Sequence, residues 1–222
     1  MDPKHRNRIA FARICSGKFQ RGSNYYHVRQ DKKIRFSNAT AFMAQQKETV
    51  EEAFPGDIVG LYDTGNLKIG DTISEGEKGL YKGIPSFSPE LFKEVINLDA
   101  MKSKQLEKGL LQLMDEGVAQ LFSYEMGARK VVGTVGALQF EVLQHRLLNE
   151  YGAKVQFSPV NIYKACWISG SDSEVDAFVK DKYRYIARDK EGKLVFMAET
   201  RAWLQMVQDN FPEVAFHFIS EF

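Results

Sequence analysis

The sequence predicts a small β-barrel followed by an α+β domain made of two split βαβ units. Up to about residue 82, every patterned run is short, β-rich and closed by a turn signal. Beyond Glu90 apolar residues begin to recur at helical spacing between strands. From there the order β-α-β-β-α-β is met twice in succession, which is the second domain's signature.

In the first domain, the strand candidates are Ile9–Cys15, Tyr25–Arg29, Lys33–Ser37, Ile58–Tyr62 and Ile69–Ser74. Ser16-Gly17 can begin a turn after the first strand. Pro55-Gly56 supplies the fixed φ and then the positive φ of a type II turn, leading into Ile58–Tyr62 as a buried strand. Arg21-Gly22-Ser23-Asn24 and Thr64-Gly65-Asn66 separate other runs, and Ile34 and Phe36 alternate with Lys33 and Arg35 as a half-exposed strand requires. Gly83, Pro85 and Pro89 mark the junction, so the domains are expected at 1–82 and 83–222.

The second domain opens with a strand at Leu91–Leu98 and a helix at Met101–Glu116, with Leu106, Leu110, Leu113 and Gly117 along one face. Strands Val118–Tyr124 and Lys130–Thr134 follow. A helix at Ala137–Tyr151 carries Phe140, Leu143, Leu147 and Tyr151 on one face, and Ala153–Pro159 closes the unit. The second unit runs from a strand at Ile162–Ile168 into a helix opened by the capping box Ser171-Asp172-Ser173-Glu174, with Val175, Phe178 and Val179 inward. Strands Arg184–Arg188 and Lys193–Ala198 are joined through Glu191-Gly192. The helix Thr200–Asn210 is stopped by Pro212, and Val214, Phe216 and Phe218 alternate as core residues in a last strand. The sub-units, about 83–160 and 161–222, share a ferredoxin-like topology without residue identity.

Composition is that of a globular protein, with 44% hydrophobic and 27% charged residues. The net charge of +1 decides nothing, but its distribution is uneven. Lys4, Arg6, Arg8, Arg13, Lys18, Arg21, Arg29, Lys32, Lys33 and Arg35 face only Asp2 and Asp31 in the first 35 residues. Such a run is either a phosphate-facing surface or a solvated strand face. Cys15 and Cys166 lie far apart without C-x-x-C partners, which excludes a zinc or disulfide framework and fits a reducing compartment. The charged start and the absence of a long apolar run argue against a signal peptide or membrane span. A soluble, cytoplasmic protein is expected.

The residues that could carry chemistry are few. The sequence contains no G-x-x-x-x-G-K-S/T phosphate loop and no N-K-x-D for guanine. Gly133-x-x-Gly136 ahead of a helix could hold an anion, but close packing and a turn explain the glycines better. His5, His27, His145 and His217 lack metal-ligand spacing, and His145 shares a helix face with Leu138 and Val142, as a boundary or core histidine does. Cys166 reads as a buried structural thiol. Glu51-Glu52 and Asp115-Glu116 read as solvated pairs on exposed turns.

Arg13–Gly22, Glu51–Leu61 and Ile69–Thr72 resemble the β-barrel domain that follows the GTP-binding domain in translation factors. Together with Met1–Arg8, Gly83–Phe92, Val131–Leu143, Arg146-Leu147 and Glu150-Tyr151, they make the whole chain similar to the bacterial peptide chain release factor three family of translational GTPases. The similarity weakens after about Ser169. The barrel strings alone would fit elongation factor G; Gly133–Leu143 and the ending at Phe222 favour the release factor.

The resemblance implies a C-terminal fragment whose barrel lacks a strand or two upstream of Met1 and whose parent holds GTP and magnesium in an N-terminal GTPase domain. The parent would promote departure of codon-reading release factors from the ribosome. This chain would carry no catalytic, cofactor or metal residues of its own. Its barrel would dock on small-subunit RNA and protein, and its α+β domain would set the position of the GTPase domain. The expected ribosome contacts are Lys4, His5, Arg6, Lys18 and Arg21. The competing readings are an elongation factor G-like or ribosomal-protection GTPase fragment, and a stand-alone ferredoxin-like ligand-binding protein.

Overall fold

The computed structural model describes residues 8–43, 46–63, 66–76, 78–79, 81 and 88–219. The chain divides into two compact units, Met1–Ile84 and Pro85–Phe222.

The strands of the first unit are β1 (Arg8–Arg13), β2 (Phe19–Gln20), β3 (Asn24–His27), β4 (Lys32–Arg35), β5 (Ala39–Met43), β6 (Gln46–Thr49), β7 (Glu52–Ala53), β8 (Ile58–Asp63) and β9 (Ile73–Ser74). They pair antiparallel in the orders β1-β8-β5-β6, β4-β3-β9 and β2-β7. Among the described residues this pairing does not run round as one closed ladder. The three sheets instead share a single core of Phe19, Tyr25, Phe36, Ala39, Ala53, Val59 and Leu61. The Tyr25 ring stacks on Phe19 at 5.4 Å. Its hydroxyl donates to the Gln20 carbonyl at 3.0 Å and accepts the Gln20 N–H at 2.6 Å, so the buried phenol is satisfied.

The Pro55-Gly56 turn forms as expected, with Gly56 at φ 103° and the Asp57 N–H donating to the Phe54 carbonyl at 3.0 Å. Three local readings change. Ile58, expected inside a buried strand, is 60% exposed at the mouth of β8, while Val59 and Leu61 are buried. The strand expected over Ile69–Ser74 shrinks to Ile73–Ser74, because Lys68 to Asp71 closes a turn of its own. β5 and β6 carry no turn-bounded β-branched run, and sequence patterning missed them.

The second unit contains β10 (Leu91–Asn97), α1 (Ser103–Asp115), β11 (Gln120–Tyr124), β12 (Lys130–Thr134), α2 (Leu138–Tyr151) and β13 (Val155–Pro159). The order then repeats as β14 (Lys164–Ser169), α3 (Asp172–Asp181), β15 (Ile186–Arg188), β16 (Leu194–Ala198), α4 (Arg201–Asn210) and β17 (Ala215–His217). All eight strands form one antiparallel sheet, β13-β10-β12-β11-β15-β16-β14-β17. Each half has the ferredoxin-like order, fourth-first-third-second, and the halves join where β11 pairs β15 at Ser123↔Arg188 and Tyr124↔Ala187.

Alternation along the strands builds three cores. One lies beneath α1 and α2, around Leu110, Leu113, Leu143 and Leu147. Another lies beneath α3 and α4, around Phe178, Phe196, Leu204 and Val207. The third contains no helical residue: Phe92, Phe122, Tyr124 and Val131 of the first half meet Ala165, Trp167, Val195 and Met197 of the second. The helix-free faces therefore close on each other, with Phe122 and Trp167 ring centroids 6.0 Å apart.

The capping box at Ser171 and Glu174 is present. Arg184–Arg188 is a strand only from Ile186, because Tyr183–Tyr185 coils into a single 3-10 turn that seats Tyr185 against Trp203, centroids 4.5 Å apart. His145 and Phe218, both expected at least partly buried, are exposed. The buried face of α2 is Phe140, Leu143 and Leu147, and it leaves Leu138, Val142 and His145 outward. Phe218 lies one residue beyond the end of β17.

Candidate nucleic-acid interface

Of the sequence-predicted contacts, Lys4, His5 and Arg6 lie outside the described residues. Lys18 and Arg21 flank β2, which pairs β7 in the register Phe19↔Ala53 and Gln20↔Glu52. That register lays Glu51 and Glu52 beside the two cations. Lys18 Nζ sits 2.5 Å from Glu52 Oε1 and 5.7 Å from the centroid of the Phe54 ring. The Arg21 guanidinium is bidentate on Glu51, with Nε at 3.0 Å and Nη2 at 2.5 Å. All four side chains are solvent-accessible. The acidic pair expected to be merely solvated is thus a row of counter-ions, invisible in sequence because the partners are about thirty positions apart.

Arg13, Lys32, Lys33 and Arg35 are exposed, and none pairs with a carboxylate among the described residues. The β3–β4 hairpin that carries three of them is anchored by a polar cluster that sequence reasoning left unassigned. His27 is fully buried; its Nε2 lies 2.8 Å from Asp71 Oδ2 and its Nδ1 lies 3.1 Å from Gln30 Oε1. Arg29 donates to both Asp71 oxygens, at 2.5 and 2.8 Å, and to the Asn66 carbonyl at 2.8 Å. The Lys68 N–H adds a 2.8 Å bond to Asp71. Burial works to raise the Asp71 pKa, but the bonds from Arg29, Lys68 and His27 outweigh it and hold the carboxyl below the usual carboxylate value. The cluster ties residues 66–71 to the hairpin and fixes where its cations project.

The remaining candidates resolve into structural roles. Ahead of α2, the Gln139 side-chain oxygen accepts the N–H groups of Val135 and Gly136, each at 2.9 Å, so a carboxamide of the chain itself fills the place an anion would take. A Cβ on Gly133 would lie 2.7 Å from Pro89 and 3.0 Å from Phe122, so that glycine serves close packing. Cys166 is buried and its thiol is pushed up to about 12 by burial. Asp115 pairs with Lys190, and Glu116 takes Arg146 Nη1 at 2.5 Å. His217 Nε2 lies 2.6 Å from Ser169 Oγ.

The antiparallel β unit with its basic hairpin and the doubled split βαβ unit that follows it each match a translation-factor domain. Residues 1–76 match the family model of elongation factor G domain 2. Residues 81–208 match that of the class II release factor RF3, C-terminal domain, and the chain belongs to this family. A crystal structure of a protein from Thermus thermophilus superposes with a TM-score of 0.59 at 20% identity, over 74% of this chain and 27% of that one. At that identity the likeness concerns the fold. The chain spans 27% of the length of that protein.

Proposed function

We propose that this chain is the ribosome-docking part of a class II release factor whose intact form binds and hydrolyses GTP and promotes departure of codon-reading release factors during termination. The observation that carries the reading is the order of the two matches, an elongation factor G domain 2 followed by the RF3 C-terminal domain. GTP and magnesium belong, on this reading, to an N-terminal GTPase domain of the parent, and the chain works in the cytoplasm. Among the described residues no helix is long and apolar enough to cross a membrane.

The barrel unit supplies the contact with small-subunit RNA and protein, through Lys18 and Arg21 with Lys4, His5 and Arg6. Exposed ion pairs are worth only about 0–1 kcal/mol. Lys18 and Arg21 can therefore exchange Glu52 and Glu51 for ribosomal phosphate at small cost. Cosedimentation with ribosomes over a salt series tests this. Lys18→Ala or Arg21→Ala should weaken binding and flatten the salt dependence by about one unit of slope. Replacing Glu51 and Glu52 with Gln should strengthen binding, because it frees both cations. Slopes unchanged in all the variants would rule out these residues as contacts, and a chain that never cosediments would overturn the docking role.

A further inference from the structure

Among the described residues β17 pairs only with Trp167, Ile168 and Ser169 of β14. Beyond His217 the chain leaves the sheet edge, and a groove of about 280 Å³ opens between Phe218 and α4. One wall is the helix face Arg201, Leu204, Gln205 and Gln208; the other is Tyr163, Lys164 and Phe218.

We propose that this groove binds a short stretch of single-stranded RNA. Lys164 and Arg201 approach it from strand and helix, and among the described residues neither pairs with a carboxylate. Both are cations available to phosphate. Tyr163 and Phe218 are exposed aromatic rings, 46% and 42% accessible, on which a base can stack. Gln205 donates its amide to Asp209 Oδ1 at 3.0 Å, which fixes its carboxamide and leaves the carbonyl oxygen as an acceptor. Each nucleotide brings a phosphate for the cations and a flat base for the rings, whereas acidic side chains bring charge without a ring; this favours RNA over an acidic peptide. The groove is open to solvent, as an extended polymer passing over the surface requires. The proposal deepens the docking reading above by adding an RNA contact in the second unit.

The probe is a labelled single-stranded RNA of about eight nucleotides, titrated into the full chain by fluorescence anisotropy. Phe218→Ala should weaken binding roughly fivefold or more. Lys164→Gln with Arg201→Gln should lower the salt slope by roughly 0.7 per cation removed. Arg201→Gln alone, at an exposed position, keeps the test open should the double variant misfold, and tryptophan emission from Trp203 reports the fold of α4. Unchanged affinity and slope in these variants would overturn the proposal. So would a poly-glutamate peptide that displaces the RNA at equal concentration, which would point to an acidic protein partner. Ribosome cosedimentation of the same variants separates the two readings. Oligonucleotide binding lost while the Lys18-dependent ribosome binding persists supports the groove as a distinct RNA site. Oligonucleotide binding intact in a chain that never cosediments supports the groove and sinks the docking role alone.

Discussion

Gly109 sits in the middle of α1, where a Cβ would lie 2.8 Å from Leu147 Cδ2 and 2.9 Å from Tyr151 Cγ on α2. The missing side chain lets the two helices approach. Alanine would gain up to about 1 kcal/mol of helix propensity, but overpacking a tight contact costs about 1–3 kcal/mol. Gly109→Ala should therefore lower the melting temperature, as thermal denaturation followed by circular dichroism would register. The two thiols make a second contrast at this scale. Cys15 is exposed, whereas Cys166 is buried and its thiol is pushed up to about 12. An Ellman-type titration of the native chain should show one fast thiol, with the second appearing only on unfolding. Two fast thiols would mean that the core beneath α3 and α4 opens readily.

The β15–β16 hairpin shows how one turn can serve two purposes. Asp189 Oδ1 accepts the N–H groups of Glu191 and Lys193 at 3.0 and 2.9 Å and so closes the turn. Its Oδ2 accepts the indole N–H of the buried Trp167 at 2.8 Å. From the same hairpin Lys190 reaches Asp115 at the end of α1, and Arg188 binds Glu125 at 2.6 Å, so polar pairs fasten one split βαβ half to the other. Asp189→Ala would strand the Trp167 donor in a dry core, which costs about 1–3 kcal/mol. Urea denaturation of Asp189→Ala should show a lower midpoint. Asp189→Asn keeps one acceptor oxygen but turns an NH2 donor toward either the indole or the turn, so it should lose stability as well. An unchanged midpoint in Asp189→Ala would show that these hydrogen bonds do not hold the hairpin in place.

Across the whole molecule, each unit has its own core, and both tryptophans, Trp167 and Trp203, lie in the second. Tryptophan emission therefore reports on one unit, and acid treatment can separate the two. The folded-state pKa of Asp71 lies below its unfolded value. Its contribution is present above the unfolded value of about 3.9 and is lost as pH falls through the depressed folded value. Acidification into that range should loosen the first unit, seen in far-ultraviolet circular dichroism, with little change in tryptophan emission. Asp71→Asn should destabilise that unit at neutral pH by roughly 2 kcal/mol and remove this part of its acid dependence. Parallel loss of both signals in the parent protein would show that the second unit carries the acid-sensitive group.

The sequence by itself determined the order of elements in the second unit, its repeat and its capping box, because helical and strand periodicities over long runs record local preference and burial together. It also determined the Pro55-Gly56 turn and the buried character of Cys166, for the same local reason. What it could not reach were properties of pairs distant in the chain. β5 and β6 exist because they pair with each other and because β5 pairs with β8. Lys18 and Arg21 are neutralised by Glu52 and Glu51 because β2 and β7 share a register. His27 becomes a buried anchor only when Asp71 arrives beside it. His145 and Phe218 turned outward although their spacing resembled core, because periodicity ranks faces and cannot say whether a neighbour covers them. The tertiary structure decided these points, since hydrogen bonds, ion pairs and burial depend on what folds opposite a residue, and a linear pattern does not contain that information.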